Sequence, residues 1–397
     1  MKNYFLQMCN DMQKKSSKIH PHSTIQYYYS AGRSFMHSVH NKLTKTIYSG
    51  IILLIYTLML SGCVEKFEIP VTTGEGNISG DTVYVPLNPP WVGFNNPQSI
   101  FVGYEPFIYV ADTDNNRIVM MNLAGNILGT REIKRPVAIS QDYQLNLIVC
   151  AEFDTAGVTY GAVFKLDLFT SGHDISNAPL RRVLPRPGVS ADLKPNIRFK
   201  GVCTFYDNSF YVARIGPNNS SIFDPDNSIL IFEKKTLANG TKVDTLIGRL
   251  PALEPLGSGT KTANNISSLT SFKRRNNDFI MTLTGNTSFK TQWLFYNFAS
   301  ETPGYENRLG PFSSEIMIAN KFKRPEGAAL DNSGNIFIAD TETDSVYKFN
   351  SFGDQLQSFG GPDIFNNPSS VAFFDRTLYV VDRGNNRILR FILSTDL

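Results

Sequence analysis

The sequence predicts an all-β fold, a single β-propeller of six four-stranded blades. Three observations predict it: a strand, polar turn and strand unit that recurs along the chain, a blade-length spacing between two copies, and an aromatic composition. Val110-Ala111-Asp112-Thr113-Asp114-Asn115-Asn116-Arg117-Ile118-Val119 lines up with Ile338-Ala339-Asp340-Thr341-Glu342-Thr343-Asp344-Ser345-Val346-Tyr347. It also lines up with Val380-Val381-Asp382-Arg383-Gly384-Asn385-Asn386-Arg387-Ile388-Leu389. Asp340 and Asp382 are 42 residues apart, close to the ~40–45 residues of a blade. The chain of 397 residues holds 29 Phe and 17 Tyr but 2 Trp, with 42% hydrophobic and 18% charged residues. Such residues suit half-buried pleated surfaces.

Six units follow in order, over 97–133, 134–186, 197–250, 266–310, 322–361 and 365–397. Their openings match as well: Phe94-Asn95-Asn96-Pro97 parallels Phe365-Asn366-Asn367-Pro368, and Arg135-Pro136-Val137-Ala138 parallels Arg324-Pro325-Glu326-Gly327. Proline is tolerated at the start of a strand, where its missing N–H does no harm. The small residues after it let strands crowd near a central axis. The fourth unit is irregular, so five and seven blades are the alternatives. The last unit ends after three strands, at Arg390-Phe391-Ile392-Leu393. Its fourth strand is expected from Thr82–Leu87 or Trp91–Phe94, a closure that leaves no unpaired edge. Cys150 and Cys203 fall in strand-like runs and are expected as buried free thiols.

These units resemble the NHL repeat, with its strand ending in Ala-Asp, a polar turn, and Arg-Ile starting the next strand. The resemblance is clear in the first, fifth and sixth units and weak in the third and fourth. It implies a propeller that presents a rigid face to a protein, a glycan or a nucleic acid.

The segment before the propeller reads as an export signal. Lys42 and Lys45 flank the apolar run Ile51–Leu60, which is too short to span a bilayer as a helix. Leu60-Ser61-Gly62-Cys63 follows. This resembles the bacterial lipobox, which implies cleavage before Cys63 and acylation of that cysteine, with palmitate among the chains. Residues 1 to about 35 do not fit a signal peptide, and both Met1 and Met36 stand as possible starts. The expected organisation is an extension and signal over 1–62, a lipidated cysteine and tether over 63–80, and the propeller over 81–397. The expected location is the bacterial cell envelope, facing outside the cytoplasm.

Charge follows the same division. Seven of the 38 basic residues and one of the 35 acidic ones precede Cys63, leaving 31 basic against 34 acidic residues. The formal +3 therefore belongs to the leader, and charge does not support nucleic-acid binding.

The repeated residues Asp112, Arg117, Asp340, Asp382 and Arg387 are expected to serve the blades, through turn N–H bonds and strand-bridging ion pairs. Ser345 stands where one unit would carry the arginine. Of five histidines only His173 follows Cys63, so an imidazole-based triad would depend on it alone. A calcium site of the lactonase-like propeller type would draw on Glu326, Asn196 and Asp192, which no spacing marks out. Trp91, Phe94, Trp293, Phe295, Tyr296 and Tyr305 could stack on sugars, but their alternation fits blade packing. The basic residues are more suggestive. Lys134, Arg135, Arg198, Lys200, Lys323 and Arg324 precede innermost strands, and Arg214 and Arg383 fall near turns on the same face. Together they could ring one mouth of the channel and attract an anion. Two segments, 170–196 and 250–265, read as long loops.

From these features the expectation is a non-enzymatic binding module, without cofactor or metal, for an envelope protein or carbohydrate ligand. A calcium-dependent, lactonase-like or sugar-processing enzyme is the alternative, and a structural subunit of an envelope assembly is a third.

Overall fold

The computed structural model describes residues 83–251, 253–272, 275–308 and 315–396. The leader, Cys63 and the tether lie outside the described residues.

Twenty-four strands form six antiparallel sheets of four. A first strand, β1 (Tyr84–Trp91), precedes the repeats. Blade 1 holds β2 (Pro97–Val102), β3 (Ile108–Asp112), β4 (Arg117–Met121) and β5 (Ile127–Glu132). Blade 2 holds β6 (Ala138–Gln141), β7 (Asn146–Thr155), β8 (Val158–Asp167) and β9 (Leu180–Leu184). Blade 3 holds β10 (Arg198–Thr204), β11 (Phe210–Ile215), β12 (Ser228–Thr236) and β13 (Lys242–Arg249). Blade 4 holds β14 (Ile266–Ser271), β15 (Phe279–Leu283), β16 (Thr291–Asn297) and β17 (Gly304–Asn307). Blade 5 holds β18 (Pro325–Leu330), β19 (Ile336–Asp340), β20 (Ser345–Phe349) and β21 (Gln355–Gly360). Blade 6 holds β22 (Pro368–Phe374), β23 (Thr377–Asp382) and β24 (Arg387–Leu393), and β1 completes it. Tyr84 pairs with Leu393 and Trp91 with Ile388, so the closing strand comes from the first of the two expected runs and reaches the second only at Trp91.

The first strands of neighbouring blades touch in sequence, and β22 returns to β2, which closes the ring. Each second strand is buried on both faces between blades, which is why Ile108-Tyr109-Val110-Ala111 and Ile336-Phe337-Ile338-Ala339 read as unbroken apolar runs. Outer strands such as Ile127–Glu132 are mostly solvated. The apolar side chains gather in six clusters, several of which join strands of adjacent blades. In one, Phe337 stacks on Phe373 of the next blade with ring centroids 5.5 Å apart. The segment 170–196 is not one loop, because β9 interrupts it. Cys150 and Cys203 are free and buried, and burial pushes both thiols up from their ordinary value. Among the described residues no helix is long and apolar enough to cross a membrane.

The repeated aspartates staple the openings of blades 1, 5 and 6 to the turn between the second and third strands. Asp112 accepts the Asn95 N–H (2.7 Å) and Arg117 Nε (2.7 Å). Asp382 does the same with Asn366 N–H (2.7 Å) and Arg387 Nε (2.6 Å). Asp340 accepts the N–H groups of Lys323 and Arg324 at 2.7 and 2.8 Å. It manages without an arginine because backbone donors occupy its oxygens. All three carboxylates are fully buried. Asp382→Ala is expected to cost about 2 kcal/mol, the scale for stranding buried donors. A shift in the urea midpoint at unchanged slope would measure it.

Candidate active site at the channel mouth

Every blade opening lies on one face of the ring, together with the turns between second and third strands. The turns joining strands one to two and three to four lie on the other. This follows from four antiparallel strands per blade connected in order.

Small residues let the inner strands approach. A Cβ on Gly201 would meet Leu269 N at 2.8 Å, and one on Gly327 would meet Ser370 Cα at 2.7 Å. In β2, β10, β14, β18 and β22 the register slips by one residue just after the opening, at Gln98, Lys200, Ser267, Glu326 and Ser369. Such a bulge leaves its residue out of the ladder and re-aims the side chain. Val137 holds the matching place in blade 2. All six residues line one cavity of about 500 Å³.

This ring is not symmetric. Ser267 donates to the Pro325 carbonyl of the next blade (2.7 Å) and Ser369 to that of Gln98 (3.2 Å). Lys200 and Glu326 are its two charged members. Glu326 accepts Arg324 Nε at 2.7 Å and Arg383 Nη1 at 2.6 Å. Lys200 is held differently. Burial, with the charges of Arg135 and Arg383, pushes its ammonium below the usual lysine value against the pull of Glu326 and Glu152. Both of those carboxylates are engaged by guanidinium groups. Glu152 accepts Arg198 Nε at 3.0 Å and lies 3.8 Å from Arg135 Nε. It reaches the mouth on a tall hairpin, because β7 and β8 have ten residues each where β3 and β4 have five.

The eight basic residues expected at the mouth separate into two groups. Lys200, Arg324 and Arg383 line the cavity, and Arg135 and Arg198 stand beside it on Glu152. Lys134 turns outward to Asp154 (2.6 Å) and Thr159 (3.2 Å). Arg214 is buried against the loop after β11, donating to the carbonyls of Asp226 and Pro225. Lys323 is exposed, and its carbonyl accepts Lys290 Nζ. Arg214 turns away because Asp224 neutralises it locally. The site residue that the sequence does not reveal is Glu152. Its only signal is the longer hairpin around Asp154-Thr155-Ala156-Gly157.

The calcium candidates do not meet. Asp192 pairs with Arg186 at 2.7 Å, Asn196 is exposed on a loop, and Glu326 is taken by two arginines. Among the described residues no three His, Cys, Asp or Glu side chains are placed to hold a metal. A divalent cation beside Glu326 would face Lys200, Arg324 and Arg383, so the donor set does not fit one. His173 lies on the opposite face, its Nδ1 3.7 Å from Glu105 Oε1. Its neighbour Asp174 bonds Ser176 and Asn177 instead, so no triad forms there. The aromatic candidates are packing residues: Trp293 stacks on Phe272 at 4.7 Å, Trp91 tilts against Tyr379 at 5.6 Å, and Tyr305 shares a 2.9 Å hydroxyl bond with Tyr211. Phe94 is buried, and Arg308 covers Phe295 while Tyr296 packs on Tyr305.

Residues 365–391 match the NHL repeat model. No curated protein matches the chain. Among solved structures it is similar to a gluconolactonase from Xanthomonas campestris, at 12% identity and a TM-score of 0.49, over 79% of this chain and 90% of that one. It is similar to the calcium-binding protein regucalcin from Agrobacterium tumefaciens, at 13% identity and a TM-score of 0.47, over 79% and 94%. A virginiamycin B lyase from Staphylococcus aureus is similar at 11% identity and a TM-score of 0.43, over 79% and 100%. At such identities the likeness is one of fold. The expectation of a non-enzymatic binding module is corrected at the site itself, where Glu326 and Glu152 break up the expected cationic mouth; the similar solved structures include a gluconolactonase and a lyase. The basic residues that suggested ligand capture do not form a plain cationic ring. Two carboxylates, Glu326 and Glu152, divide them around Lys200.

Proposed function

We propose that the channel mouth is the active site of an enzyme that opens small anionic lactones of the sugar-acid type. The observation that carries this is Lys200, a half-buried amine with a depressed pKa, in a cavity shared with Arg324 and Arg383. Burial favours the neutral, proton-accepting form of the amine, which is the form a general base needs, and guanidiniums are suited to a carboxylate and to a developing oxyanion. Lys200 takes a proton from water as the oxygen attacks the lactone carbonyl. The arginines hold the negative oxygen of the tetrahedral intermediate. As the ring C–O bond breaks, the Lys200 ammonium returns the proton to the leaving oxygen, and a hydroxy acid results. Glu326 positions Arg324 and Arg383, and Glu152 positions Arg135 and Arg198. The names of a gluconolactonase and of regucalcin are consistent with this reading, but it rests on the site. The test is proton release from a panel of aldaric-acid monolactones, which keep one free carboxylate, with neutral aldonolactones beside them. Turnover above the spontaneous rate supports the proposal, and none across the panel sinks it.

The same reading keeps the enzyme outside the cytoplasm on a lipid anchor at Cys63. Its support is the order of Lys42 and Lys45, the run Ile51–Leu60, and Leu60-Ser61-Gly62-Cys63. Labelled palmitate is expected to enter the wild-type chain and not Cys63→Ala, with the variant released from the membrane fraction. Equal labelling of both would refute the anchor.

A further inference from the structure

The face opposite the channel mouth carries a repeated feature that neither the fold nor the proposed chemistry uses. In blades 1 to 5 the turn between the third and fourth strands carries an exposed apolar side chain within its first three residues. These are Leu123, Phe169, Leu237, Phe298 and Phe352. Phe169, Phe298 and Phe352 are 73%, 80% and 77% exposed. Isolated exposed apolar residues are ordinary on protein surfaces. Five in the corresponding turn of successive blades, on one rim, form a pattern.

Blade 6 has no such turn, because its third strand ends the propeller and β1 begins there instead. Val83, just before β1, occupies that sixth place and is also exposed, with its carbonyl accepting Ser394 N–H at 2.8 Å. The chain therefore enters the propeller on the apolar rim. Nineteen residues separate Val83 from Cys63, which follows the apolar run Ile51–Leu60. Whatever membrane holds that segment, the rim is the part of the propeller next to it along the chain. Nearer the axis, Tyr143 and Tyr206 are exposed on the same face, and tyrosine favours the headgroup region.

We infer that this rim rests on a phospholipid bilayer, with Phe169, Phe298 and Phe352 in the headgroup layer and the channel mouth turned away from the membrane. The mouth face also bears exposed apolar residues, Ile222 and Phe223, on the loop after β11. Docking through them would turn the Lys200 cavity toward the lipid and close it to a soluble substrate. The inference deepens the anchoring proposed above, and the two can fail separately. Palmitate incorporation tests the anchor, whereas the following experiment tests the face.

Phe298→Trp, Phe352→Trp and Phe223→Trp would each be placed in the full chain. Each variant is bound to vesicles of phosphatidylethanolamine and phosphatidylglycerol whose acyl chains are brominated. The added tryptophan at 298 and at 352 is expected to lose roughly half of its emission, as suits a ring ~5–10 Å into the headgroup–acyl boundary. The one at 223 is expected to keep its emission. Quenching at 223 alone, equal quenching at all three, or none at any overturns the inference. So does a rim that pairs with a second copy. That would appear in detergent as a dimer that Phe169→Ser, Phe298→Ser and Phe352→Ser together convert to monomer.

Discussion

Lys200→Met is expected to reduce lactone opening by about 100-fold or more, the contribution of a positioned general base. Lys200→Arg should fare no better, since a guanidinium keeps the charge but cannot give up its proton near neutral pH. If Lys200 served only to attract the substrate, the arginine variant would retain activity. The pH profile separates these roles further. The base form of Lys200 is the deprotonated one, so kcat/KM should rise with pH through its depressed pKa and be lost below it. Glu326 pulls that pKa up and Arg383 pushes it down. Glu326→Gln should therefore move the rising limb to lower pH, and Arg383→Met should move it to higher pH. Both variants will also disturb substrate binding, so the reading is the position of the limb and not the height of the plateau. A limb that stays in place in both variants would exclude Lys200 as the titrating group.

The largest effect on stability is expected between blades 2 and 3, on the face opposite the mouth. Lys165 is buried on β8, with Nζ 2.7 Å from Asp142 and 3.4 Å from Asp244. Asp244, on β13, also takes Lys234 at 2.7 Å and an ion pair from Arg181. Burial alone would raise the Asp244 carboxyl, but Lys165, Lys234 and Arg181 overcome it and hold the group below its ordinary value. Burial pulls Lys165 down in turn, against both carboxylates. Removing one partner of a buried pair strands the other charge, at about 3–5 kcal/mol. Lys165→Met, which leaves two buried carboxylates, is expected to fall in that range by urea unfolding at neutral pH. A cost below about 1 kcal/mol would place the network among pairs that contribute little net stability. The sign with pH follows from the depressed carboxyl. Asp244 stabilises the fold above the ordinary aspartate pKa of ~3.9 and loses that contribution as pH falls through its lower folded value. Asp244→Asn should therefore be less stable at neutral pH and show a shallower loss of stability in acid than the wild type.

The propeller was legible in the chain because its units repeat, and repetition averages out local noise. Asp340 and Asp382, one blade apart, marked the staple twice, and the staple is local: its donors lie within about 20 residues of the carboxylate. Closure was legible too, since a unit that stops at Leu393 needs a strand from elsewhere. The chain before the repeats offered one, though its bounds, Tyr84–Trp91, run past the first expected run and stop at the first residue of the second.

The site was half legible. Basic residues at blade openings fall on the same face as the ring of bulged positions, because every opening emerges there. Their destinations depended on partners far along the chain or on blade height. Arg214 was withdrawn by its own loop, and Arg383 was drawn to Glu326 across 57 residues. Glu152 came to the mouth only because one hairpin is taller than the rest. Sequence by itself determined the repeat, the residues of the staples and the acidic balance of the folded part, all of which follow from short-range pattern, and it favoured six blades over five or seven. Tertiary structure alone decided that one bulged position per inner strand faces the channel, and that Lys200 and Glu326 are the charged residues there. It also decided that the apolar turns share a rim with the chain's entry. These depend on ring closure, which places side chains from six distant segments around one axis and sets how far water can screen them.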